Sequence, residues 1–533
     1  MKRLRLLAWS VFLLATGLSA APLKIGWAIT DVSTEKPVYL YGIPRKRVSQ
    51  GLRDPLKVTT LVLDNGEDCV IFSTWDVCVV WGTVVNRVRA MIADQCPEIP
   101  VNKIIFHAIH THTGPAMGDG YDDDVTREYR NMFVSQAAKS VIDAWKGRKP
   151  GKIAYGYDFA VTSFSRRPVY FDDLSKRPPP NDGLIRPPRF PIDRHARLHG
   201  NSNDPQFSHM EAAPDPFVNL LFTYDLNDQL TGIVCNVAFP SQISISDMKL
   251  GSDCWSDVRR EVKKEFGDIF ILPQCAAAGD LTYKIPYYDK ATARKQRLIF
   301  GREEAFPGEF ERRRVTEQLM AALRRTMEWA PKERYADLPL KHITTTLHLK
   351  RYIPSPQDVE TAKKYRALLE EMRKNPPEVC KNDPPRLEKL NAIIRGAIGQ
   401  CNAVIWYAKD GETNKTWPSE FHVLRLGDIA FVSERYELYT DYGQRIQARS
   451  PFTQTFTIQI CSGVLYHTGS AAHYLATERA FKNQGYQANA ANNANAPSPE
   501  GGQQLVDEAV RLLYELKGEN NPKNNHPKGI LRK

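Results

Sequence analysis

Apolar and polar residues alternate along this chain in two periods, and the period changes from segment to segment. Period-two runs bounded by turn residues form three strand–turn–strand units: 59–63 and 69–73 around Asp64-Asn65-Gly66, 219–224 and 230–238 around Asp225-Leu226-Asn227-Asp228, and 423–426 and 429–432 around Gly427-Asp428. Between them the period lengthens to that of a helix over 83–93, 129–145, 255–266 and 311–329, and a last amphipathic segment covers 502–516. Strands and helices interleaved in this way predict an α/β fold, a layered mixed-sheet core flanked by helices and not a β-sandwich or a helix bundle.

Two segments break the pattern. Residues 168–206 carry Pro178-Pro179-Pro180, Pro187-Pro188 and Pro191. A loop of that length inside a compact domain is a functional lid or an excursion from the fold. Residues 355–398 read as two charged helices joined through Asn375-Pro376-Pro377 and Asp383-Pro384-Pro385, a helical hairpin set into the core. The Ala/Asn/Pro-rich stretch 488–502 and the basic tail 517–533 are expected to be disordered. The folded body is then 22–516, for which length alone suggests two or three domains.

Composition narrows the function classes. The chain has 533 residues, 42% of them hydrophobic and 25% charged, with a formal net charge of +11. Part of that charge sits in the two ends. Elsewhere bases alternate with acids, as in Arg259-Arg260-Glu261-Val262-Lys263-Lys264-Glu265, which is a solvated helix face and not a nucleic-acid stripe. Lys2, Arg3 and Arg5 precede the apolar run 6–18 and the small residues Ser19-Ala20-Ala21. Residues 1–21 are therefore expected to be a cleavable signal peptide, and the mature protein to be secreted or periplasmic with no transmembrane span. The nine cysteines are scattered and odd in number. Cys69, Cys78 and Cys235 lie in apolar strands, whereas Cys380 and Cys401 flank a helical segment and are candidates for a disulfide.

Candidate chemistry gathers where strands end. After the apolar Lys103-Ile104-Ile105 comes Phe106-His107-Ala108-Ile109-His110-Thr111-His112-Thr113-Gly114-Pro115. Alternation along a strand would put His110 and His112 on one face and His107 on the other. Two imidazoles on one face can bind a metal or carry protons. Gln274 to Thr282 ends a second strand in a Gly279-Asp280 turn, where small residues let backbone approach a ligand. Ser433 follows a third and is expected to cap a helix, with Glu437 in its first turn. His467, His473 and Tyr474-Leu475-Ala476-Thr477 form a further polar cluster.

Taken in order, these motifs resemble the neutral/alkaline non-lysosomal ceramidase family, in its shorter bacterial form. The match runs through Asp54-Pro55-Leu56, Ser73-Thr74-Trp75-Asp76, His110-Thr111-His112-Thr113-Gly114-Pro115, Ser165-Arg166-Arg167, Asn236 to Gln242, Ser252-Asp253, Ala278-Gly279-Asp280-Leu281-Thr282, Tyr436 to Gly443 and Tyr474 to Thr477. The resemblance implies a ceramidase catalytic-domain-like fold and a zinc ion held by His110, Glu437 and Tyr474. Arg166 takes the place of the family's active-site arginine, His112 falls beside the metal, and Asp280 and Thr282 stand in the nucleophile turn. Catalytic candidates are thus Thr282, His112, Arg166 and Asp280. Two positions depart from the pattern. Phe239, ahead of Pro240, stands where the family has a second histidine ligand, and Thr282 stands where it has serine. The implied function is a secreted, zinc-dependent hydrolase of an amide or ester bond, acting on a small-molecule or lipid substrate. The alternative is a non-catalytic relative that keeps the cleft for binding.

Overall fold

The computed structural model describes residues 22–522, apart from 44–45, 119, 122, 179–192, 462–472 and 494–495. The leader and most of the basic tail lie outside the described residues, as does His467. Among the described residues, eight strands form the larger sheet. In chain order they are β1 (Lys24–Asp31), β2 (Lys57–Asp64), β3 (Cys69–Trp75), β4 (Ile104–Ala108), β5 (Lys149–Phe159), β6 (Phe217–Asp225), β7 (Leu230–Val237) and β8 (Phe270–Cys275). Their order across the sheet is β8-β7-β6-β5-β1-β2-β3-β4. The pairs β3/β4 and β7/β8 are parallel and the others antiparallel. A second sheet contains β9 (Leu340–Lys350), β10 (Thr416–Leu426), β11 (Ile429–Ser433) and β12 (Gln454–Ile458), in that order, with β11/β12 parallel.

The two sheets pack face to face. Residues at alternate positions on β2 show why. Val58 and Val62 enter the cluster on the helix side, whereas Leu61 and Leu63 face the second sheet with Phe72, Leu424, Phe431 and Phe456. The rings of Phe72 and Phe431 meet across this seam at 5.0 Å between centroids. Each such fully buried apolar side chain contributes about 1.5–3 kcal/mol, so the seam is a main source of stability. Helices α1 (Gly82–Gln95), α2 (Asp124–Lys146), α3 (Cys254–Phe266) and α4 (Glu309–Met327) cover the outer face of the larger sheet. On α1 the buried residues Val84, Val85, Val88 and Ile92 recur at helical spacing and give that face. The hairpin insertion is α5 (Pro356–Lys374) and α6 (Pro384–Asp410). Ser355 and Asp358 form a reciprocal capping box at the start of α5. Helices α7 (Thr440–Arg449) and α8 (Pro499–Lys517) cover the second sheet.

The layered α/β expectation holds, as do the three hairpins and the five helices. The layers are helix, sheet, sheet and helix, so sheet-on-sheet packing lies at the centre. Three local expectations fail. Cys380 and Cys401 are free thiols, each buried in the apolar core of the hairpin. Part of the stretch 488–502 is ordered: residues 490–493 are helical, Asn493 is buried with its amide on the Tyr474 carbonyl at 3.0 Å, and Pro499 opens α8. Tertiary burial of Asn489 and Asn493 outweighs the polar composition. Ser433 caps no helix. It ends β11, and the chain runs on to a two-residue strand, Glu437–Leu438, before α7 begins at Thr440.

Candidate functional site

Loops from both sheets meet at one end of the seam. The loops after β3, β4, β8 and β11 contribute Cys78, His110 and His112, Asp280 and Thr282, and Glu437 respectively. This is the carboxyl end of the three parallel pairs β3/β4, β7/β8 and β11/β12, the usual place for a site in sheets of this kind.

His110 does not lie on the strand. β4 stops at Ala108, and His110 adopts a left-handed φ of 69°. Its backbone N–H donates to Val77 O at 3.1 Å, and its Nδ1 lies 2.9 Å from Cys78 O. A carbonyl can only accept, so Nδ1 donates and Nε2 is the nitrogen turned to the site. It faces His112 Nε2 at 3.3 Å and Glu437 Oε2 at 3.5 Å. The two histidines therefore meet through a turn and not through strand alternation. His107 does face away. It is buried within β4 against Thr74 Oγ1 at 3.1 Å, and burial pushes its ring down to about 3. Burial, reinforced by His110, Arg47 and Arg166, also pushes His112 well below the ordinary histidine range and keeps it neutral.

Glu437 is placed by long-range pairing. Its two-residue strand runs parallel to Tyr474–Leu475, and Glu437 N donates to His473 O at 2.9 Å. This pairing puts the phenol of Tyr474 in hydrogen bond with the Glu437 carboxylate. Burial raises that phenol well above its usual range, against the pull of the Arg166 cation. The Arg166 guanidinium carbon lies 4.9 Å from the Tyr474 ring centroid and 5.3 Å from that of Tyr486, and Nη2 is 3.9 Å from Glu437 Oε2. Burial disfavours this cation, but Tyr474, Tyr486 and Glu437 outweigh it and hold Arg166 charged.

Arg166 also lines a cavity of about 240 Å³ together with Ser165, His199, Thr282 and Lys284. Thr282 lies on a two-residue strand paired with Phe164–Ser165, and its Oγ1 accepts from Lys284 N at 3.3 Å. Asp280 points elsewhere. Its buried carboxylate accepts from Thr440 N at 2.9 Å and from the Thr440 hydroxyl, which ties the turn to the start of α7. Burial raises its carboxyl, and these two donors oppose the rise. Phe239 is 1% exposed in an apolar cluster with Ile109, Val237 and Ile243.

Other motif residues are anchors. Asp76 takes a bidentate pair from Arg259 at 2.7 and 2.9 Å, and Asp54 pairs with the buried Arg312 at 2.8 Å. Arg167 pairs with Glu211 and donates to Gln484 O at 2.8 Å, which fixes the segment that carries Tyr486. Sequence reasoning missed Tyr486, His199 and Lys284, since none stands in a periodic or motif-like context.

The donor atoms of Cys78, His110 and His112 all lie within 4.8 Å of one another. Cys78 Sγ, however, approaches His110 Nδ1, at 3.7 Å. That nitrogen is already committed to a carbonyl, so the thiol sits behind the ring and not at Nε2. Next to the two imidazoles, Glu437 Oε2 at 3.5 Å from His110 Nε2 and the Tyr474 phenol bonded to Glu437 offer oxygen donors, a mix of ligand types that zinc accepts.

No family model matches the sequence, and no curated protein matches it. Solved structures do. The neutral ceramidase of Pseudomonas aeruginosa superposes with a TM-score of 0.60 over 93% of this chain and 75% of that one, at 15% identity. A ceramidase complexed with C2 superposes with a TM-score of 0.60 over 93% of this chain and 76% of its own, at 13% identity. The protein has a ceramidase-like fold.

Proposed function

We propose that the protein is an exported, metal-dependent hydrolase of an amide (N-acyl) or ester bond in a small-molecule or lipid substrate. One observation carries this reading. His110, Glu437 and Tyr474, brought from distant parts of the chain, converge beside a buried arginine at the edge of a cavity that holds a hydroxyl nucleophile candidate. His110, Glu437 and Tyr474 would hold the ion, with His110 Nδ1 committed to Cys78 O and Nε2 the nitrogen turned to the site. When bound, zinc supplies Lewis acidity toward a carbonyl oxygen and lowers the pKa of a nearby hydroxyl or water.

Arg166 keeps a fixed charge in a dry setting, where it opposes negative charge that develops on a carbonyl oxygen. Thr282 presents the hydroxyl that attacks, within the constraint that its β-methyl restricts rotation. Asp280 acts on position: through Thr440 it holds the turn on which Thr282 sits. A second reading, a non-catalytic binding protein, draws on Phe239 and Thr282, the two departures from the ceramidase pattern.

The test is a panel of N-acyl and ester substrates, including a short-chain ceramide, assayed with and without a chelator. Thr282→Ala lowers turnover by about 10²-fold or more, and Thr282→Ser retains it. Turnover untouched by both chelator and Thr282→Ala rejects the site. Zinc-loaded protein that binds panel members and hydrolyses none supports the second reading.

A further inference from the structure

We infer that His112 is a metal ligand of this centre, bound through Nε2 beside His110, and that Gly42 is the residue that positions its ring. The inference rests on the metal-dependent reading above and adds to it a donor and a positioning residue.

The first argument is distance. Two ligand atoms on one zinc at about 2.0–2.1 Å, subtending a tetrahedral angle, are about 3.3 Å apart. His110 Nε2 and His112 Nε2 are separated by 3.3 Å, and His110 Nε2 and Glu437 Oε2 by 3.5 Å. A direct N–H···N bond between the rings is the competing account. The rings stand at 80° to each other, and 3.3 Å is long for such a bond while it matches two nitrogens turned on one ion. The second argument is satisfaction of polar groups. His112 is 8% exposed, and its Nδ1 is buried without a partner. An unmet buried group costs about 1–3 kcal/mol, so the fold bears a penalty at Nδ1 to keep this ring buried with its Nε2 turned on His110.

The third argument is that the ring is held in place. A Cβ at residue 42 would lie 2.5 Å from His112 Cγ and Nδ1, and Gly42 has a φ of +110°. Only glycine allows the backbone to press on the ring at that distance. From the other side, Arg47 donates to His112 O at 2.6 Å and to Ile245 O at 2.7 Å, and Thr111 and Thr113 both donate to Gly251 O. The loop around His112 is thus rigid before any ion arrives, which is what a ligand site needs. Neither neighbour competes for the role. Cys78 sits behind His110, and Phe239 has no donor atom.

The experiment uses the mature full-length protein, stripped with a chelator and titrated with zinc alone. Affinity is read by competition with a chromophoric chelator, and folding by circular dichroism. Wild type takes up one zinc per chain. His112→Ala weakens binding by more than about 100-fold, and Gly42→Ala, which alters no ligand, weakens it by about 10–100-fold. Cys78→Ala stays within threefold of wild type. X-ray absorption of the zinc-loaded wild type counts two imidazoles and needs no variant to fold. Wild type that binds no zinc rejects the metal-dependent reading itself. Wild type that binds zinc with one imidazole, or a folded His112→Ala with unchanged affinity, overturns the role of His112 alone.

Discussion

Acid should part the two sheets, and Glu420 sets where this happens. Arg89 on α1 reaches Glu420 on β10 with two bonds of 2.9 and 2.7 Å. His422 Nε2 lies 2.9 Å from the same carboxylate, His342 Nε2 lies 2.9 Å from His422 Nδ1, and His342 Nδ1 lies 3.1 Å from Cys69 O on β3. This buried chain joins the second sheet to the first. Burial alone would raise the Glu420 carboxyl, but the bonds from His422 and Arg89 prevail and hold it at about 2 against an ordinary 4.5. That depression contributes about 3 kcal/mol of stability. Because the folded-state value is the lower one, the contribution is complete above pH 4.5 and is lost as pH falls toward 2. About 1 kcal/mol of it is gone at pH 3.5 and about 2 kcal/mol at pH 3. Glu420→Gln keeps the shape, removes the titration and leaves the half-buried Arg89 without a counter-charge. It should cost about 3–5 kcal/mol at pH 7. Urea unfolding of both proteins, followed by tryptophan fluorescence between pH 7 and pH 3.5, should show the gap narrowing as carboxylates protonate. A gap that stays constant over that range refutes the reasoning.

Two further outcomes follow from the site. His110→Ala should abolish zinc uptake measured by elemental analysis, while His107→Ala, whose ring faces Thr74, should leave the stoichiometry unchanged. Phe239→His should cost about 2–4 kcal/mol in urea unfolding, because a polar ring replaces a buried aromatic, and should leave zinc affinity within a few-fold of wild type. Tightening by tenfold or more would show that an imidazole is wanted at 239 and would count against His112.

What the sequence disclosed follows physical locality. β2 and β3 were legible because a short turn, Asp64 to Asp68, sits between two apolar runs, and pairing across it is local. The helices were legible because α1 and α3 each bury one stripe. That the hairpin of β10 and β11 belongs to a separate sheet was not legible, since period two marks a buried face without naming what covers it. Glu437 became a candidate through motif order, but its local setting differs from the one expected. Ser433 looks like a cap by residue type, whereas the chain takes up pairing with Tyr474–Leu475, a partner remote in sequence. The two histidines do meet, but not by strand alternation: His110 turns left-handed, and no periodicity encodes that. Gly42 and Tyr486 acquire roles only through tertiary contact.

The nucleophile candidate and the carboxylate proposed as a ligand sit on one mechanical unit, and this gives a variant that separates positioning from chemistry. A Cβ on Gly279 would lie 2.4 Å from Glu437 O. Gly279 N donates to Leu438 O at 2.7 Å, Arg166 N donates to Asp280 O at 3.0 Å, and Arg166 Nη2 donates to Gly279 O. The turn that carries Thr282 therefore leans directly on the backbone of Glu437, and only glycine permits the approach. Gly279→Ala must push the two apart by several tenths of an ångström or more, since backbone cannot yield as a side-chain tip can. It alters no ligand and no nucleophile. In folded protein it should lower zinc affinity and turnover together, each by about tenfold or more, as expected when support for a metal ligand is lost. Thr282→Ala, by contrast, should lower turnover and spare zinc affinity. A folded Gly279→Ala variant with wild-type zinc affinity would show that Glu437 does not depend on this turn, and the coupling between the two sheets at the site would have to be carried elsewhere.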